Sequence, residues 1–132
     1  MNQKNFTQKS QEAIQAAQML SREYGNPQIE QAHLLYALLD QENGLIPQLV
    51  TSMGPDPASL KAAVKAELQR MPRVGGAGRE ADKVYISRDM DRALTRADEI
   101  AGEMKDEFLS VEHLFLGLID AADSTLKKLF QT

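Results

Sequence analysis

Cysteine is absent from this sequence. That excludes disulfides and thiolate metal sites, and it fits a reducing compartment. Basic charge is not in excess: 15 Lys and Arg stand against 19 Asp and Glu, for a net charge of −4. Nucleic acid therefore has no electrostatic claim as a partner. No apolar run approaches the roughly 20 residues that a membrane helix requires. Met1–Lys4 is polar and leads into an amphipathic pattern rather than a signal-peptide core. A cytoplasmic protein without a membrane partner is the expectation. Strand-like alternation is missing and β-branched residues are scarce, so the chain should fold as all-α, with about seven to eight helices.

What the sequence has is itself, twice. A shift of 80 positions lays Phe6–Val50 on Ile86–Phe130 without a gap. Ala13/Ala93, Ala17/Ala97, Glu23/Glu103, His33/His113, Leu34/Leu114, Leu38/Leu118, Asp40/Asp120 and Leu49/Leu129 are identical pairs. Most other apolar positions exchange with apolar ones, as Phe6 does with Ile86 and Ile14 with Leu94. Identity concentrated at apolar positions means one packing scheme used twice. The whole of 1–132 reads as one domain: repeat one over 6–72, a linker over 73–85, and repeat two over 86–130.

Helical periodicity fills both repeats. Phe6, Ala13, Ile14, Ala17, Leu20 and Tyr24 share one face, with Thr7 as N-cap and Gly25-Asn26-Pro27 as the stop. The run His33–Leu39 is apolar nearly all round, so it should form the buried centre of its repeat. A third helix covers about Leu45 to Met53 and stops at Gly54. Asp56-Pro57 opens a fourth, with Leu60, Val64, Leu68 and Met71 on one face, and Pro72 closes it. Arg73 to Tyr85 carries Gly75, Gly76 and Gly78 among charges and reads as an exposed, mobile linker. Ser87 restarts the pattern where Thr7 stands in repeat one. Ser110 caps the next helix, Glu112 lies in its first turn, and Asp123 or Ser124 starts the last.

No catalytic constellation stands out. The two histidines hold equivalent repeat positions, and no cysteine or neighbouring histidine completes a zinc ligand set. They read as imidazoles hydrogen-bonded to the backbone. Gly75–Gly78 lacks the G-x-x-x-x-G-K-[ST] pattern of a phosphate loop. Asp40 and Asp120 read as helix-end residues, and the methionines as core filler or adaptable surface. Arg88, Arg92 and Arg96 make a basic stripe along one helix, read first as a solvated face and second as a docking surface for an acidic partner.

Two segments carry a family resemblance. Ile29-Glu30-Gln31-Ala32-His33-Leu34-Leu35-Tyr36-Ala37-Leu38-Leu39 and Leu109-Ser110-Val111-Glu112-His113-Leu114-Phe115-Leu116-Gly117-Leu118 resemble the doubled motif of Clp N-terminal domains. These domains stand at the front of the Hsp100/Clp AAA+ unfoldases. The resemblance spans Phe6 to Phe130 and is nearest to the ClpB disaggregases. Glu30-Gln31-Ala32-His33 replaces the Gly-Thr-Glu-His expected of ClpC relatives, and Met71–Gly76 and Tyr85–Arg88 look like ClpB.

The resemblance implies two pseudo-two-fold-related helical repeats. It implies a recognition domain that captures unfolded or aggregated polypeptide for a hexameric ring of the full-length chain, with an Hsp70 system as a further partner. ATP and Mg would belong to ATPase modules after Thr132. This chain has no Walker A lysine, needs no cofactor, would be no enzyme by itself, and should be monomeric. Thr7, Asp106 and Glu112 match polar substrate-handling positions, and Leu94 matches an apolar groove position. Two other groove positions fall on Arg96 and His113, a departure from the family pattern. Phe6, Leu94, Leu109 and Val111 are expected to stay accessible in a shallow apolar seam between the repeats. The alternative is adaptor docking for a protease-linked unfoldase, through the arginine stripe. An enzyme acting alone is the third class, without a visible nucleophile–base or metal set.

Overall fold

The computed structural model describes residues 5–73 and 85–131. The linker expected over 73–85 therefore lies almost wholly outside the described residues. Seven helices appear among those described: α1 (Gln8–Glu23), α2 (Gln31–Asp40), α3 (Leu45–Met53), α4 (Pro57–Arg70), α5 (Arg88–Glu103), α6 (Val111–Asp120) and α7 (Ser124–Phe130). The expected caps are in place. Thr7 accepts from the Ser10 N–H, Asp56 from Ser59, Ser87 from Met90 and Asp123 from Leu126, each satisfying a free donor of a first turn. Asp123, not Ser124, is the cap of α7. Gly54 ends α3 at φ 117°, a conformation that suits glycine.

α2 is buried along almost its whole length, Tyr36 and Asp40 excepted, as its all-round apolar sequence requires. Leu34, Leu35 and Leu38 join Leu114, Phe115 and Leu118 of α6 in one core, with Ile46, Leu68, Met90 and Leu126. On the α5 side, α6 approaches so closely that a Cβ on Gly117 would lie 2.5 Å from the Ala93 carbonyl oxygen. Only glycine fits there. No helix among the described residues is long and apolar enough to cross a membrane.

One feature departs from the sequence reading. Four two-residue strands form two parallel ladders: β1 (Asn5–Phe6) pairs with β4 (Phe108–Leu109), and β2 (Gln28–Ile29) with β3 (Tyr85–Ile86). A strand of two residues has no alternation to read. The registers, Asn5↔Phe108 and Gln28↔Tyr85, interchange under the shift that superposes the repeats. The next bonds match too: Thr7 N–H donates to the Leu109 carbonyl at 3.0 Å, and Ser87 N–H to that of Ile29 at 3.1 Å. Each repeat thus starts by pairing with the middle of the other.

Gln31 fastens the halves from inside. It is fully buried, and its Nε2 donates to the carbonyls of Asp89 (2.7 Å) and Ala121 (2.8 Å) while its Oε1 accepts from Asp123 N–H at 2.8 Å. Its counterpart in repeat two is Val111.

Candidate functional site

The β1–β4 ladder gathers most of the residues singled out from the sequence. Phe6 sits in register with Leu109, Thr7 follows it, and α6 with Glu112 begins two residues beyond β4. The Leu109 carbonyl takes a second donor, the Ser10 hydroxyl, at 2.7 Å. Thr7 and Phe6 are half-buried, and Glu112 is exposed in the first turn of α6.

The apolar lining is not where the sequence reading places it. Leu94, Leu109 and Val111 are only 5 %, 1 % and 7 % exposed and belong to the core. All three are packed into the one core that the two repeats share. What stays in water is Phe108, 51 % exposed, and Met104 before the same loop; Tyr85 and Ile86 are exposed on the other ladder. Successive side chains of a strand point to opposite faces, and in β4 one of those faces is the core. Leu109 takes the core, and Phe108 is left outside. Phe108 escaped the sequence reading, although a signal existed: its counterpart is the polar Gln28.

Asp106 has a structural occupation that its loop position concealed. Its Oδ2 lies 2.8 Å from His113 Nε2. His113 Nδ1 accepts from the Ser110 N–H at 2.9 Å, so the proton sits on Nε2 and is donated to the carboxylate. In repeat one, His33 Nδ1 accepts from Glu30 N–H and Nε2 donates to Asn26 Oδ1, both at 2.8 Å. Each histidine therefore reaches back from the third position of its helix to the residue that opens it, the geometry of a capping box. The backbone-bonded reading of these imidazoles holds. His33 is fully buried, and burial pushes its pKa down to about 4.

The arginine stripe is largely paired within the chain. Arg96 meets Asp120 at 2.9 Å, Glu103 at 3.0 Å and Glu99 at 3.3 Å. Hydrogen bonds, first to Asp120 and then to Glu103, hold its guanidinium still more firmly protonated. Arg92 pairs with Asp89 at 3.0 Å. Asp40, read as a helix-end residue, pairs with Lys61. On another face, a groove of about 470 Å³ opens between α3, α4, α6 and α7, lined by Val50, Met53, Leu60, Phe115, Ile119, Leu129 and Phe130. None of the residues singled out for substrate handling lines it.

Two intertwined helical repeats, joined by two short parallel ladders, define the class: a double-repeat, all-α domain. The family follows from comparison. Residues 5–132 match the model of the Clp repeat (R) N-terminal domain, and the chain belongs to that family. It is 36% identical over 121 residues to the chaperone protein ClpB of Nitratidesulfovibrio vulgaris, covering 92% of this chain and 14% of that protein. It is 38% identical over 129 residues to ClpB of Mycobacterium tuberculosis, covering 98% and 15%. The chain thus spans about one-seventh of the length of these relatives. In fold it resembles the Hsp104 N-terminal domain from Candida albicans, with TM-score 0.83, 23% identity and coverage of 96% and 80%. It also resembles the N-terminal domain of the ClpV1 ATPase from E. coli, with TM-score 0.79, 18% identity and coverage of 97% and 78%.

Proposed function

We propose that this chain is the client-recognition module of a ClpB-type, ATP-dependent protein disaggregase of the cytoplasm. It captures unfolded or aggregated polypeptide at the β1–β4 ladder and passes it to the ring of its own full-length chain. Hydrolysis of ATP, the Mg it needs, hexamer formation and cooperation with an Hsp70 system belong to the full-length protein. The observation that supports this reading most is Phe108, 51 % exposed on β4, two residues after Asp106 and four before Glu112, where repeat one has the polar Gln28. Leu94, Leu109 and Val111 are buried in the core and take no direct part. A small apolar spot with polar neighbours binds extended apolar segments weakly and with little selectivity, which suits a receptor that must release what it holds.

The adaptor-docking alternative calls for a basic stripe free to meet a partner, and Arg92 and Arg96 are already paired. NMR titration of the 132-residue chain with a permanently unfolded, apolar-rich polypeptide tests the preferred reading. Shifts should cluster at Phe6, Thr7, Asp106, Phe108 and Glu112. Shifts confined to α5 around Arg88 and Arg92, or none at saturation, would overturn it.

A further inference from the structure

The turn between α2 and α3 selects asparagine followed by glycine. Asn43 stands at φ 53°, in the left-handed region that asparagine enters more readily than most side-chain-bearing residues. Gly44 is buried, and a Cβ there would lie 3.0 Å from both the Cβ and the carbonyl oxygen of Gln41. Gln41 ties the turn down. Its carbonyl accepts from Gly44 N–H at 3.2 Å, and its side-chain amide donates to the Lys9 carbonyl at 2.8 Å. Asn-Gly is also the dipeptide most open to attack on itself, because no side chain shields the glycine nitrogen. Asn2, Asn5 and Asn26 precede Gln3, Phe6 and Pro27 instead, and proline has no N–H to give up. The Asn43 side chain is exposed and has no hydrogen bond to a described residue.

We propose that Asn43 is a modification site, where the side-chain amide is lost and aspartate and isoaspartate form. Gly44 N–H gives its proton to solvent, and the nitrogen attacks Asn43 Cγ. The new N–C bond closes a succinimide ring. The Cγ–Nδ2 bond breaks, and the leaving nitrogen takes up a proton to depart as ammonia. Water then opens the ring. Attack at Cγ gives aspartate, and attack at the main-chain carbonyl carbon gives isoaspartate. No electrons are exchanged, and water is the only co-reactant. The first step needs Gly44 N–H released from Gln41, so the reaction runs when this turn opens. A single hydrogen bond at the long end of the range, in a surface turn, opens far more often than the whole domain. The two products act differently. Aspartate places a carboxylate beside the start of α3, which has neither an acidic first turn nor a side-chain cap. Repeat two already has that residue type there: the partner of Asn43 is Asp123, the cap of α7. Isoaspartate adds a carbon to the main chain, where the close approach of Gly44 to Gln41 leaves little slack and Ile46, fully buried, anchors α3 two residues on. The inference stands independently of the client-binding reading.

The test incubates the 132-residue chain near neutral pH, folded and in guanidinium chloride. Peptide mapping reads the mass gain from exchange of amide for acid, and an isoaspartyl methyltransferase with labelled S-adenosylmethionine reads isoaspartate. Both signals should appear at Asn43 and not at Asn5 or Asn26. The folded chain should lag the denatured one by far less than the roughly 10³-fold that reaction through global unfolding alone would impose. Asn43→Gly keeps the left-handed turn and removes the amide, so it should abolish methyl acceptance. The purified isoaspartate form should melt below the parent. A folded-state rate slowed by that factor or more would overturn the proposal, as would equal reaction at Asn5, methyl acceptance that survives Asn43→Gly, or an isoaspartate form as stable as the parent.

Discussion

Mild acid should loosen this domain through His33 before it reaches the bulk of the carboxylates. The ring is fully buried; its Nδ1 takes a hydrogen bond from Glu30 N–H and its Nε2 gives one to Asn26. A proton added at Nδ1 would face the Glu30 N–H donor to donor, and would bury a charge. The folded-state pKa is accordingly pushed down from 6.5 to about 4. For a base lowered in this way, the unfolded chain takes up the proton first. Its stabilising contribution is complete above pH 6.5 and is lost as the pH falls toward 4. The slope is about 1.4 kcal/mol per pH unit, so about 1.4 kcal/mol goes by pH 5.5 and about 3 kcal/mol by pH 4. Glu30 and Asp123 act in the opposite sense. Burial raises both carboxyls, so each opposes folding when ionised and returns stability as the pH drops through its raised value. Urea melts at pH 7.0 and 5.5, with an NMR titration of both histidine rings, separate these contributions. His33 should stay neutral in the folded protein at pH 5.5 while the urea midpoint falls. A His33 ring titrating near 6.5 in the native state would refute the reasoning.

Gly117→Ala should lower stability although alanine favours helix. The added Cβ would stand 2.5 Å from the Ala93 carbonyl oxygen and 2.9 Å from Ala97 N; overpacking at about 1–3 kcal/mol outweighs the ~1 kcal/mol of helix propensity gained. A thermal midpoint that stays put or rises would show that α5 and α6 can part without cost. Gln31→Leu should cost about 3 kcal/mol in urea melts, because it removes three hydrogen bonds at the junction of the repeats and leaves the Asp123 N–H without its Gln31 acceptor, although the Ala121 carbonyl keeps Arg92; a loss under about 1 kcal/mol would mean that water replaces the amide. Asp106→Asn keeps an acceptor for His113, as Asn26 does for His33, so stability should move by less than about 1 kcal/mol. Binding of unfolded polypeptide should weaken several-fold by fluorescence anisotropy if the charge serves the rim, and unchanged affinity would remove Asp106 from it.

The helices were legible because each is written in side chains that repeat every three or four residues and in local capping chemistry. Thr7, Asp56-Pro57 and Ser87 mark helix starts by chemistry that needs no tertiary information. The duplication made the relation between the halves legible as well. The ladders were not, since two residues carry no period and their partners lie in the opposite repeat. The lining of the candidate site failed for a related reason. Whether Leu94, Leu109 and Val111 are covered depends on how the two repeats pack into one core, which apolar residues near helix ends do not reveal in sequence. Gln31 was invisible too: its three partners are main-chain groups of the other repeat, which have no sequence signature.

The repeats share a scaffold but not a division of labour, and their differences fall on one side. At equivalent positions repeat one has Asn26, Gln28 and Ala32, and repeat two has Asp106, Phe108 and Glu112. The first set is neutral. The second adds two carboxylates and an exposed aromatic ring around the start of α6. Packing bears on one of these changes, since Ala32 is buried and Glu112 is exposed; the other two it leaves open. An amide satisfies His33 as well as a carboxylate satisfies His113, and the outward-facing strand position tolerates glutamine in one ladder and phenylalanine in the other. Repeat one spends its special residues on closure, through Gln31 and α4. A duplicated scaffold needs only one face to meet a partner, and the second copy's ladder is where this chain departs from what folding alone requires. That asymmetry, rather than the apolar seam that the repeat pattern first points to, makes Asp106, Phe108 and Glu112 the first positions at which to test the proposed recognition surface.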